Sequence, residues 1–585
     1  MCGIAGHPRV VGVPQGSALE DAVAALEFRG RDGVGVRRFE SFALGCARLA
    51  ITDASAAQPL VRGPTGRRVA IVMNGSIAGP AAWRHELVAC GEAPTSGNDA
   101  ELPLRIWRAR GVSGLARLEG QFAFAIYDEG RQCLVLGRDR FGEKPLFVTD
   151  GDGMPSFAST VAALRRLAPL ARDGGLDLDD AVRFATYGWL DLEQRCFGLD
   201  ARAFPRGRLR VYDRGGMCAQ HSLRAPVRPP ATETVRRVLD RAVLERVHGD
   251  RPLGVFLSGG IDSACIASAL ARHGRQALCV SLDFATEAGV RGEGRRAGRI
   301  AQALGHRHSC AVAGAGALDA LPELVAQAGV PLGDPSLLAV RALARHAADQ
   351  GLGIVLGGDG GDEIFLGYRR QRAWRWAELA HRMLPRGVLR RVARNARGTG
   401  GARLLRAAAT GDYACLFEVA DPGDVARVFG RTAPADRGPT STRDESRSVE
   451  LSQYLAGDLC PKLDHGSLAA GIEARSPFLD ARVLAFAERW VHRPGEAVGK
   501  PALRALLAES LPVELREGPK RGFAPPIAEW LLESSWVRET LASAGTLIDV
   551  RLALRWYEEL SGQGRARAPL LFNLVALALH RGARA

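Results

Sequence analysis

Hydrophobic and polar positions alternate along the first 210 residues in a pattern typical of short β-strands. Four segments show it clearly, and each is bounded by Gly, Asp or Asn residues. These segments are 43–52, 68–75, 121–128 and 133–139. Few long helical periods separate them, so the pattern predicts an α+β domain built on antiparallel sheets.

The pattern changes after a Pro- and Arg-rich stretch at 221–233, which we interpret as a linker. Beyond it, apolar runs typical of buried strands alternate with amphipathic segments typical of helices. This alternation predicts a parallel sheet with helices on both faces, followed by a mostly helical region after about residue 368. The predicted strands are 252–258, 277–284 and 352–358, and the predicted helices are 232–247, 262–272, 294–305 and 337–350.

These patterns divide the chain into two domains and a connecting segment. The predicted boundaries are 1–215 for the first domain, 216–232 for the linker and 233–585 for the second domain. The length agrees with this division, because at roughly 150 residues per domain a chain of 585 residues is expected to contain about two to four domains.

Composition excludes several classes of protein. The sequence is 46% hydrophobic and 24% charged, as in ordinary globular proteins, and it contains no long apolar stretch free of charge. The N-terminus, MCGIAGHPRV, lacks the basic start and apolar core of a secretory signal. The 11 cysteines include no Cys-x-x-Cys pair, which argues against a zinc ribbon or a disulfide framework. We therefore expect a reduced, cytoplasmic protein without a membrane partner.

The net charge of +14 is the unusual feature of the composition. Such a charge is typical of nucleic-acid-binding proteins. Only four of the 78 basic residues are lysines, however, and the arginines are scattered instead of forming a run. We attribute the charge to coding bias and predict no nucleic-acid partner. The lysines, at 144, 462, 500 and 520, are then expected where a compact ammonium group is required.

The most informative local motif is SGGIDS at 258–263, directly after a predicted strand and before a predicted helix. Its glycines let the backbone approach an anion closely, and the helix N-terminus directs free N–H groups at that anion. The serines supply hydroxyl donors, and Asp262 can hold Mg²⁺ against phosphate oxygens. The spacing differs from that of a Walker A loop. A tight turn capped by Asp or Ser is the alternative interpretation.

A second glycine-rich turn, GGDGGDE at 357–363, also follows a predicted buried strand. Its acidic side chains would lie at the carboxyl edge of the same sheet, where open α/β folds bind ligands. Asp262 and Asp362 could therefore share a magnesium ion. A solvated turn with capping carboxylates is the alternative.

Cys2 is a candidate nucleophile because it follows the initiator Met1. Removal of Met1 would leave a cysteine whose own α-amino group, with a reference pKa near 7.7–8.0, can act as its general base. Any cysteine can stand second in a sequence, so this pattern is weak without support from the rest of the first domain.

Twelve motifs along the chain resemble those of glutamine-hydrolysing asparagine synthetases, in the order that this family has. The motifs of the glutaminase domain are MCGIAG (1–6), RGRDG (29–33), ARLAITD (47–53), NG (74–75), DAE (99–101) and RDRFGEKPL (138–146). The motifs of the synthetase domain are SGGIDS (258–263), GGDGGDE (357–363), YLAGDLCPKLD (454–464), EARSPFLD (473–480), KPALR (500–504) and KRGFAPP (520–526). SGGIDS also resembles the pyrophosphate-binding loop of ATP pyrophosphatases.

The resemblance implies an α+β N-terminal nucleophile (Ntn) domain of stacked antiparallel sheets with class II glutamine amidotransferase activity. It also implies a second domain, an α/β parallel-sheet ATP pyrophosphatase of the adenine nucleotide α hydrolase-like type. This domain would have a helical C-terminal part. The implied enzyme is a ligase in which ATP, with Mg²⁺, adenylates aspartate or another carboxylate. Ammonia released from glutamine would cross an internal tunnel and attack the acyl-AMP. A homodimer is compatible with this family.

The resemblance also implies roles for individual residues of the first domain. Cys2 would attack the glutamine amide, and Asn74 and Gly75 would form the oxyanion hole. Arg48 would hold the glutamine carboxylate and Asp99 its ammonium group, and Asn74 would also contact the glutamine.

In the second domain, the resemblance implies a larger set of ATP-binding residues. They are Leu257, Ser258, Gly259, Gly260, Asp262, Ser263, Ser281, Leu282, Gly357, Gly358 and Lys520. Asp262 and Asp362 would hold Mg²⁺, and Asp359 would belong to the catalytic groups.

Several positions depart from the family pattern, and they leave alternatives open. The departures are Arg31, Ser76, Ala339, Gly357, Asp359 and His465. They support, as an alternative, a specialised member such as a lasso-peptide isopeptide cyclase or a β-lactam synthetase type of enzyme, while asparagine synthetase remains the leading interpretation. The retained glutaminase residues argue against an enzyme that uses no ammonia. A tRNA-modifying ATP pyrophosphatase, which would carry basic clusters, and a non-enzymatic relative are further alternatives.

Overall fold

The structure is a computed structural model in which most of the chain is described. The described residues are 2–8, 17–168, 170, 176–225, 229–230, 232–396, 400–432, 447–491, 499–516 and 524–582. In chain order, the strands are β1 (Cys2–Pro8), β2 (Gly33–Arg38), β3 (Phe42–Arg48), β4 (Leu60–Arg62), β5 (Val69–Ile77), β6 (Gly120–Asp128), β7 (Cys133–Arg138), β8 (Phe147–Thr149), β9 (Phe157–Ala158), β10 (Ala201–Ala203), β11 (Arg208–Asp213), β12 (Gly216–Ser222), β13 (Leu253–Phe256), β14 (Leu278–Thr286), β15 (Gly289–Gly292), β16 (Arg307–Ala313), β17 (Ile354–Leu356) and β18 (Glu473–Arg475).

Helices cover these strands and form most of the C-terminal part. In chain order, the α-helices are α1 (Ala18–Ala24), α2 (Pro80–Ala89), α3 (Glu101–Leu115), α4 (Val161–Leu167), α5 (Leu178–Tyr187), α6 (Val235–Leu244), α7 (Ile261–Arg272), α8 (Gly294–Ala303), α9 (Leu321–Ala328), α10 (Ser336–Asp349), α11 (Gly361–Ile364), α12 (Arg369–Met383), α13 (Arg386–Asn395), α14 (Gly400–Thr410), α15 (Pro422–Phe429), α16 (Cys460–Leu468), α17 (Ala481–Val491), α18 (Pro501–Ala508), α19 (Val513–Arg516), α20 (Ile527–Glu533), α21 (Trp536–Ala542), α22 (Val550–Glu558) and α23 (Ala568–Gly582). A π-helix over Glu450–Leu459 leads directly into α16. None of the described helices is both long and apolar enough to cross a bilayer.

The strands β1–β12 form two stacked antiparallel sheets, here termed the N-terminal sandwich. The first sheet has the order β10-β8-β9-β1-β3-β2 and the second the order β12-β11-β7-β6-β5-β4. Their inner faces pack together through a common core that includes Ile4 and Leu44 of one sheet and Val72 and Ala125 of the other. Helices α1 and α4 cover the outer face of the first sheet, and α3 packs on the second. The predicted stacked antiparallel fold is confirmed.

Strand β12 lies within the segment that the sequence pattern assigns to a linker. It pairs with β11 over 208–213, and its seven residues extend the second sheet of the sandwich. The linker prediction of 216–232 is therefore wrong for 216–222, because alternating residues of this segment complete a ladder that the local sequence does not reveal.

The strands β13–β18 form the third sheet, here termed the parallel-sheet region. Its parallel strands have the order β16-β14-β13-β17-β18, and β15 adds to β14 in the antiparallel sense. The chain runs from β13 outward through β14 to β16 and then returns to β17 on the other side of β13. The strand order thus reverses between β13 and β17, and such a switch point opens a crevice at the carboxyl ends of the strands.

Buried ion pairs join the sandwich to the parallel-sheet region. Asp464 on α16 accepts hydrogen bonds from Arg29 at 2.6 Å and from Lys144 at 3.2 Å. Across the same boundary, Gln121 of β6 donates to Glu473 of β18 at 3.3 Å. These contacts place the edge of the sandwich that carries Cys2 against the end of the third sheet.

Candidate active site

Cys2, at the start of β1, lies at the edge of the sandwich that faces the parallel-sheet region. Its side chain is 4% exposed, and its backbone N–H donates to Asn74 Oδ1 at 3.1 Å. A hydrogen bond with the Cys46 thiol, together with the N-terminal charge, a backbone hydrogen bond from Leu49 and the charge of Arg48, outweighs burial and lowers the pKa of the Cys2 thiol to about 6. A thiol with this pKa is largely thiolate, the nucleophilic form, at neutral pH.

Asn74 and Gly75 lie on β5, beside the Cys2 thiol. Asn74 is fully buried, and its Nδ2 has no hydrogen-bond partner among the described residues. Gly75 has φ 120°, and a Cβ at this position would lie 2.0 Å from the Gln121 carbonyl oxygen, so only glycine fits. A buried amide donor without a partner next to a nucleophile is suited to an oxyanion that forms only during reaction.

Arg48 and Asp99 are both held by hydrogen bonds near Cys2. The Arg48 guanidinium donates to the backbone carbonyls of residues 52–54 at 2.5–3.1 Å. These bonds orient the guanidinium, and none of them involves a carboxylate. Asp99 Oδ2 accepts from the Ile77 N–H at 3.2 Å and lies 3.1 Å from His248 Nε2. His248 comes from the segment before β13 and was not among the predicted site residues.

One small cavity, here termed the Cys2 cavity, brings these groups together. The predicted residues that line it are Cys2, Arg48, Gly75 and Asp99. Asn74 does not line it but bonds directly to Cys2. The lining residues that sequence reasoning missed include Gln58, Asn98, Glu473 and Arg475.

Glu473 and Arg475 reach the Cys2 cavity from β18, at the edge of the third sheet. They form a buried pair at 2.6 Å. Burial by itself would raise the pKa of Glu473, but Arg475 holds it well below its ordinary value, so the pair is ionised. The EARSPFLD segment contains both residues, but nothing local indicates that they contact the sandwich.

The second cluster of predicted residues lines a cleft at the switch point, here termed the loop cleft. Its volume is about 550 Å³. The predicted residues in its wall are Leu257, Ser258, Gly260, Asp262, Ser263, Ser281, Leu282, Gly358, Asp359 and Asp362. Gly259 and Gly357 belong to the same loops but are not among the residues that line the cleft. Lys520 lies outside the described residues.

The loop 258–263 turns tightly from β13 into α7. Gly259 has φ 73°, in the left-handed region that favours glycine. The N-cap residue of α7 is Gly260, so no N-cap side chain bonds to the first N–H groups of the helix. A Cβ on Gly358 would lie 2.9 Å from the Ser263 nitrogen, which shows how closely the second loop approaches the first. Such a pair of loops is suited to a phosphate chain.

Lys500 joins Asp262 and Asp362, the two aspartates that the sequence analysis predicts as magnesium ligands. Its Nζ donates to Asp262 Oδ1 at 2.6 Å and lies 2.6 Å from Asp362 Oδ1. Two carboxylates that converge on one point fit Mg²⁺, which proteins commonly bind through one or two carboxylates plus substrate phosphates. The ammonium group supplies the balancing charge. The signals for this residue were its place at the start of the KPALR motif and its being one of only four lysines in the chain.

Other charged groups of the loop cleft lie outside the predicted set. Lys462 donates to Asp334 at 2.8 Å, and the Tyr368 hydroxyl donates to Glu363 at 2.5 Å. Burial, with Asp362 nearby, raises the pKa of Glu363 to about 7. Burial also raises the pKa of Asp458, which does not line the cleft but lies near Asp334 and Lys462, to about 8. These carboxyl groups can hold or release protons near neutral pH.

A third, small cavity, here termed the middle cavity, lies between the other two. Its wall includes Gln121, Glu143, Asp359 and Leu463. Asp359 and Leu463 also line the loop cleft, whereas the contact between Gln121 and Glu473 separates the middle cavity from the Cys2 cavity. Asp359 therefore lies in the wall that the middle cavity shares with the loop cleft, and it does not line the Cys2 cavity.

Comparison with known proteins gives matches over nearly the whole chain. A family model described as asparagine synthase matches residues 234–581, and one described as a glutamine amidotransferase domain matches residues 1–222. A Mycobacterium tuberculosis protein, provisionally named a glutamine-hydrolysing asparagine synthetase, is 29% identical, with 96% of this chain and 93% of the relative covered. Glutamine-hydrolysing asparagine synthetase 1 of Bacillus subtilis is 26% identical, with 93% and 90% covered.

Further matches cover less of the chain. Glutamine-hydrolysing asparagine synthetase 3 of Arabidopsis thaliana is 29% identical over 63% of this chain and 61% of the relative. The solved structure of glutamine phosphoribosylpyrophosphate amidotransferase from Bacillus subtilis, complexed with ADP and GMP, has a TM-score of 0.29 and 14% identity. That match covers 47% of this chain and 64% of the other.

Proposed function

We propose a function that proceeds from one premise: this chain belongs to the asparagine synthase family. It is a glutamine-dependent carbon–nitrogen ligase with a synthetase domain that uses ATP. Our proposal goes further in naming the carboxylate, which is aspartate. ATP adenylates its side chain, and ammonia from glutamine displaces AMP, so that asparagine, AMP and pyrophosphate are formed. We also propose residues 1–215, with β12 extending the same sandwich to residue 222, as the glutaminase domain and 233–585 as the synthetase domain.

In the glutaminase reaction that we propose, Cys2 attacks the side-chain amide of glutamine and forms a thioester. The low pKa of its thiol supports this role. Asn74 Nδ2, which has no partner among the described residues, donates to the oxygen of the tetrahedral intermediate together with the Gly75 N–H. Arg48 holds the carboxylate of the glutamine as a fork of donors. Its tether to residues 52–54 supports this orientation.

In the synthetase reaction that we propose, the loop 258–263 and the N-terminus of α7 bind the pyrophosphate part of ATP. The uncapped helix end and the left-handed Gly259 support this role. Asp262 and Asp362 would hold Mg²⁺, which supplies positive charge against the phosphate oxygens. Lys500 keeps these two carboxylates together. In this proposal, Lys520, which is not among the described residues, contacts the leaving pyrophosphate.

The observation that carries the proposal is the order of the three cavities. The Cys2 cavity, the middle cavity and the loop cleft follow one another across the boundary between the sandwich and the parallel-sheet region. A small uncharged molecule released at Cys2 would meet Gln121 and Glu473 first and Asp359 next. This order supports the transfer of ammonia within the protein, which a stand-alone glutaminase or a stand-alone adenylating enzyme would not need.

The experiment is a product analysis of the purified protein with aspartate, Mg-ATP and glutamine. We expect AMP, pyrophosphate and asparagine in equal amounts, and none of them without aspartate. Formation of AMP with another carboxylate but not with aspartate would refute the asparagine assignment and point to a specialised member of the family. Cys2→Ala should abolish synthesis from glutamine and leave synthesis from ammonium chloride intact. Cys133→Ala, which changes a buried thiol on β7, is the matched control.

A further inference from the structure

Gln58 is a buried side chain beside Cys2 to which the proposed reaction assigns no role. It is 7% exposed. Its Oε1 accepts the backbone N–H of Met73 at 2.7 Å. This bond defines which end of the amide is the oxygen, and it directs Nε2 to Cys2 Sγ at 3.6 Å. The backbone of β5 thus holds Gln58 as a donor that is aimed at the sulfur atom.

Cys46 contacts the same sulfur atom from the neighbouring strand. The register of β1 and β3 pairs Ile4 with Cys46 and Cys2 with Arg48, so Cys46 lies diagonally from Cys2 on the same face. A hydrogen bond between the two thiols makes the largest contribution to the lowered pKa of Cys2, and the N-terminal charge and a backbone hydrogen bond from Leu49 lower it further. Burial and the neighbouring Cys2 raise the pKa of Cys46 well above its ordinary value, so Cys46 remains a protonated donor.

These two contacts answer a physical problem of the site. Burial disfavours a thiolate, and Cys2 is buried. Hydrogen bonds to the charged form favour it, and donors from two directions also restrict where the sulfur atom points. The Asn74 bond to the Cys2 backbone does not act on the sulfur.

We propose that Gln58 and Cys46 are positioning residues that stabilise the Cys2 thiolate and hold it in the orientation for attack on the glutamine amide. This inference rests on the proposed role of Cys2 as the nucleophile. Gln58 is not a donor of the oxyanion hole in this arrangement, because its amide is directed at the sulfur. The charged groups that line the cavity around Cys2 are Arg48, Asp99, Glu473 and Arg475, and the variants below retain all of them.

The test is the pH dependence of alkylation at Cys2 by iodoacetamide, followed by mass spectrometry of the N-terminal peptide. Gln58→Leu and Cys46→Ala should each raise the midpoint of this alkylation pH profile by about one pH unit. The reason is that a hydrogen bond to a charged group is worth at least one pKa unit. Mass action then predicts an alkylation rate about fivefold lower at pH 6. The kcat for glutamine hydrolysis should fall more than KM rises. Cys46→Ser, which retains a hydroxyl donor, should restore most of the wild-type midpoint.

Two comparisons separate this role from a merely structural one. Synthesis from ammonium chloride should be unchanged in Gln58→Leu and Cys46→Ala, and Cys133→Ser should leave the midpoint at its wild-type value. Unchanged midpoints in both test variants, or an equal loss of ammonia-dependent synthesis, would overturn the inference while Cys2 remains the nucleophile. Full glutaminase activity in Cys2→Ala would instead overturn the proposed function and this inference with it.

Discussion

Replacing Asp464 with asparagine removes one anion that two cations of the N-terminal sandwich share. Asp464 Oδ2 accepts from Arg29 at 2.6 Å, and Oδ1 accepts from Lys144 at 3.2 Å. All three side chains are at most 3% exposed. The asparagine side chain would keep the size of the aspartate but would leave two buried positive charges without an opposite charge.

The expected cost follows from this burial. Removing one partner of a buried ion pair costs about 3–5 kcal/mol, because the other charge remains uncompensated in a poorly solvated place. We therefore expect Asp464→Asn to lower the free energy of unfolding by about 3–5 kcal/mol at neutral pH. Burial by itself would raise the pKa of Asp464, but Arg29 and Lys144 hold it below its ordinary value. The stabilisation is therefore present above the ordinary pKa and is lost as the pH falls through the lowered one.

The assay is urea denaturation followed by circular dichroism and tryptophan fluorescence, at neutral and at acidic pH. The matched control is Glu20→Gln, which breaks the ion pair with Arg38, where both side chains are 44% exposed. An exposed pair is worth about 0–1 kcal/mol, so this variant should unfold nearly as the wild type does. Equal destabilisation by the two substitutions would refute the reasoning. The triple variant Arg29→Met, Lys144→Met and Asp464→Leu, which replaces all three buried partners, should recover much of the lost stability.

Two further predictions concern the reaction. Asn74→Ala should lower kcat for glutamine hydrolysis by about 10²–10³, the effect of losing one oxyanion donor, and leave ammonia-dependent synthesis intact; an unchanged kcat in steady-state assays would exclude this role. Ala474→Leu should fill the middle cavity, in whose wall this buried residue lies. Glutamine would then be hydrolysed without matching asparagine formation, while added ammonium chloride still supports synthesis. A ratio of glutamate to asparagine that stays near the wild-type value would contradict the proposed path.

The local sequence was sufficient for the elements whose patterns are unbroken. The strand predicted at 121–128 is observed as β6 at Gly120–Asp128, and the helix predicted at 262–272 as α7. The pattern failed where breakers interrupt a helix that tertiary packing maintains. Helix α3 contains Pro103 and a non-helical Gly111, and nevertheless buries its apolar side against the second sheet.

The two glycine-rich loops of the candidate site also separate what the local sequence predicts from what it does not. Their strand–turn–helix spacing is a local property, so the sequence predicted both loops and the edge of the sheet at which they meet. That Lys500 bridges Asp262 and Asp362 is a contact between distant segments, and no local pattern contains it. The lysines at 144 and 462 likewise form buried ion pairs with aspartates far along the chain.

Side-chain periodicity specifies which face of a strand or helix is buried, and this requires only neighbours in sequence. It does not specify which other element covers that face. Gln58 beside Cys2, and Glu473 beside the same cavity, depend on how the sandwich packs on the parallel-sheet region and on how β5 aligns with the 58–59 segment. The chemistry of the nucleophile and of the phosphate loops was thus apparent from short motifs. The partners that tune this chemistry were determined by the packing of the whole chain.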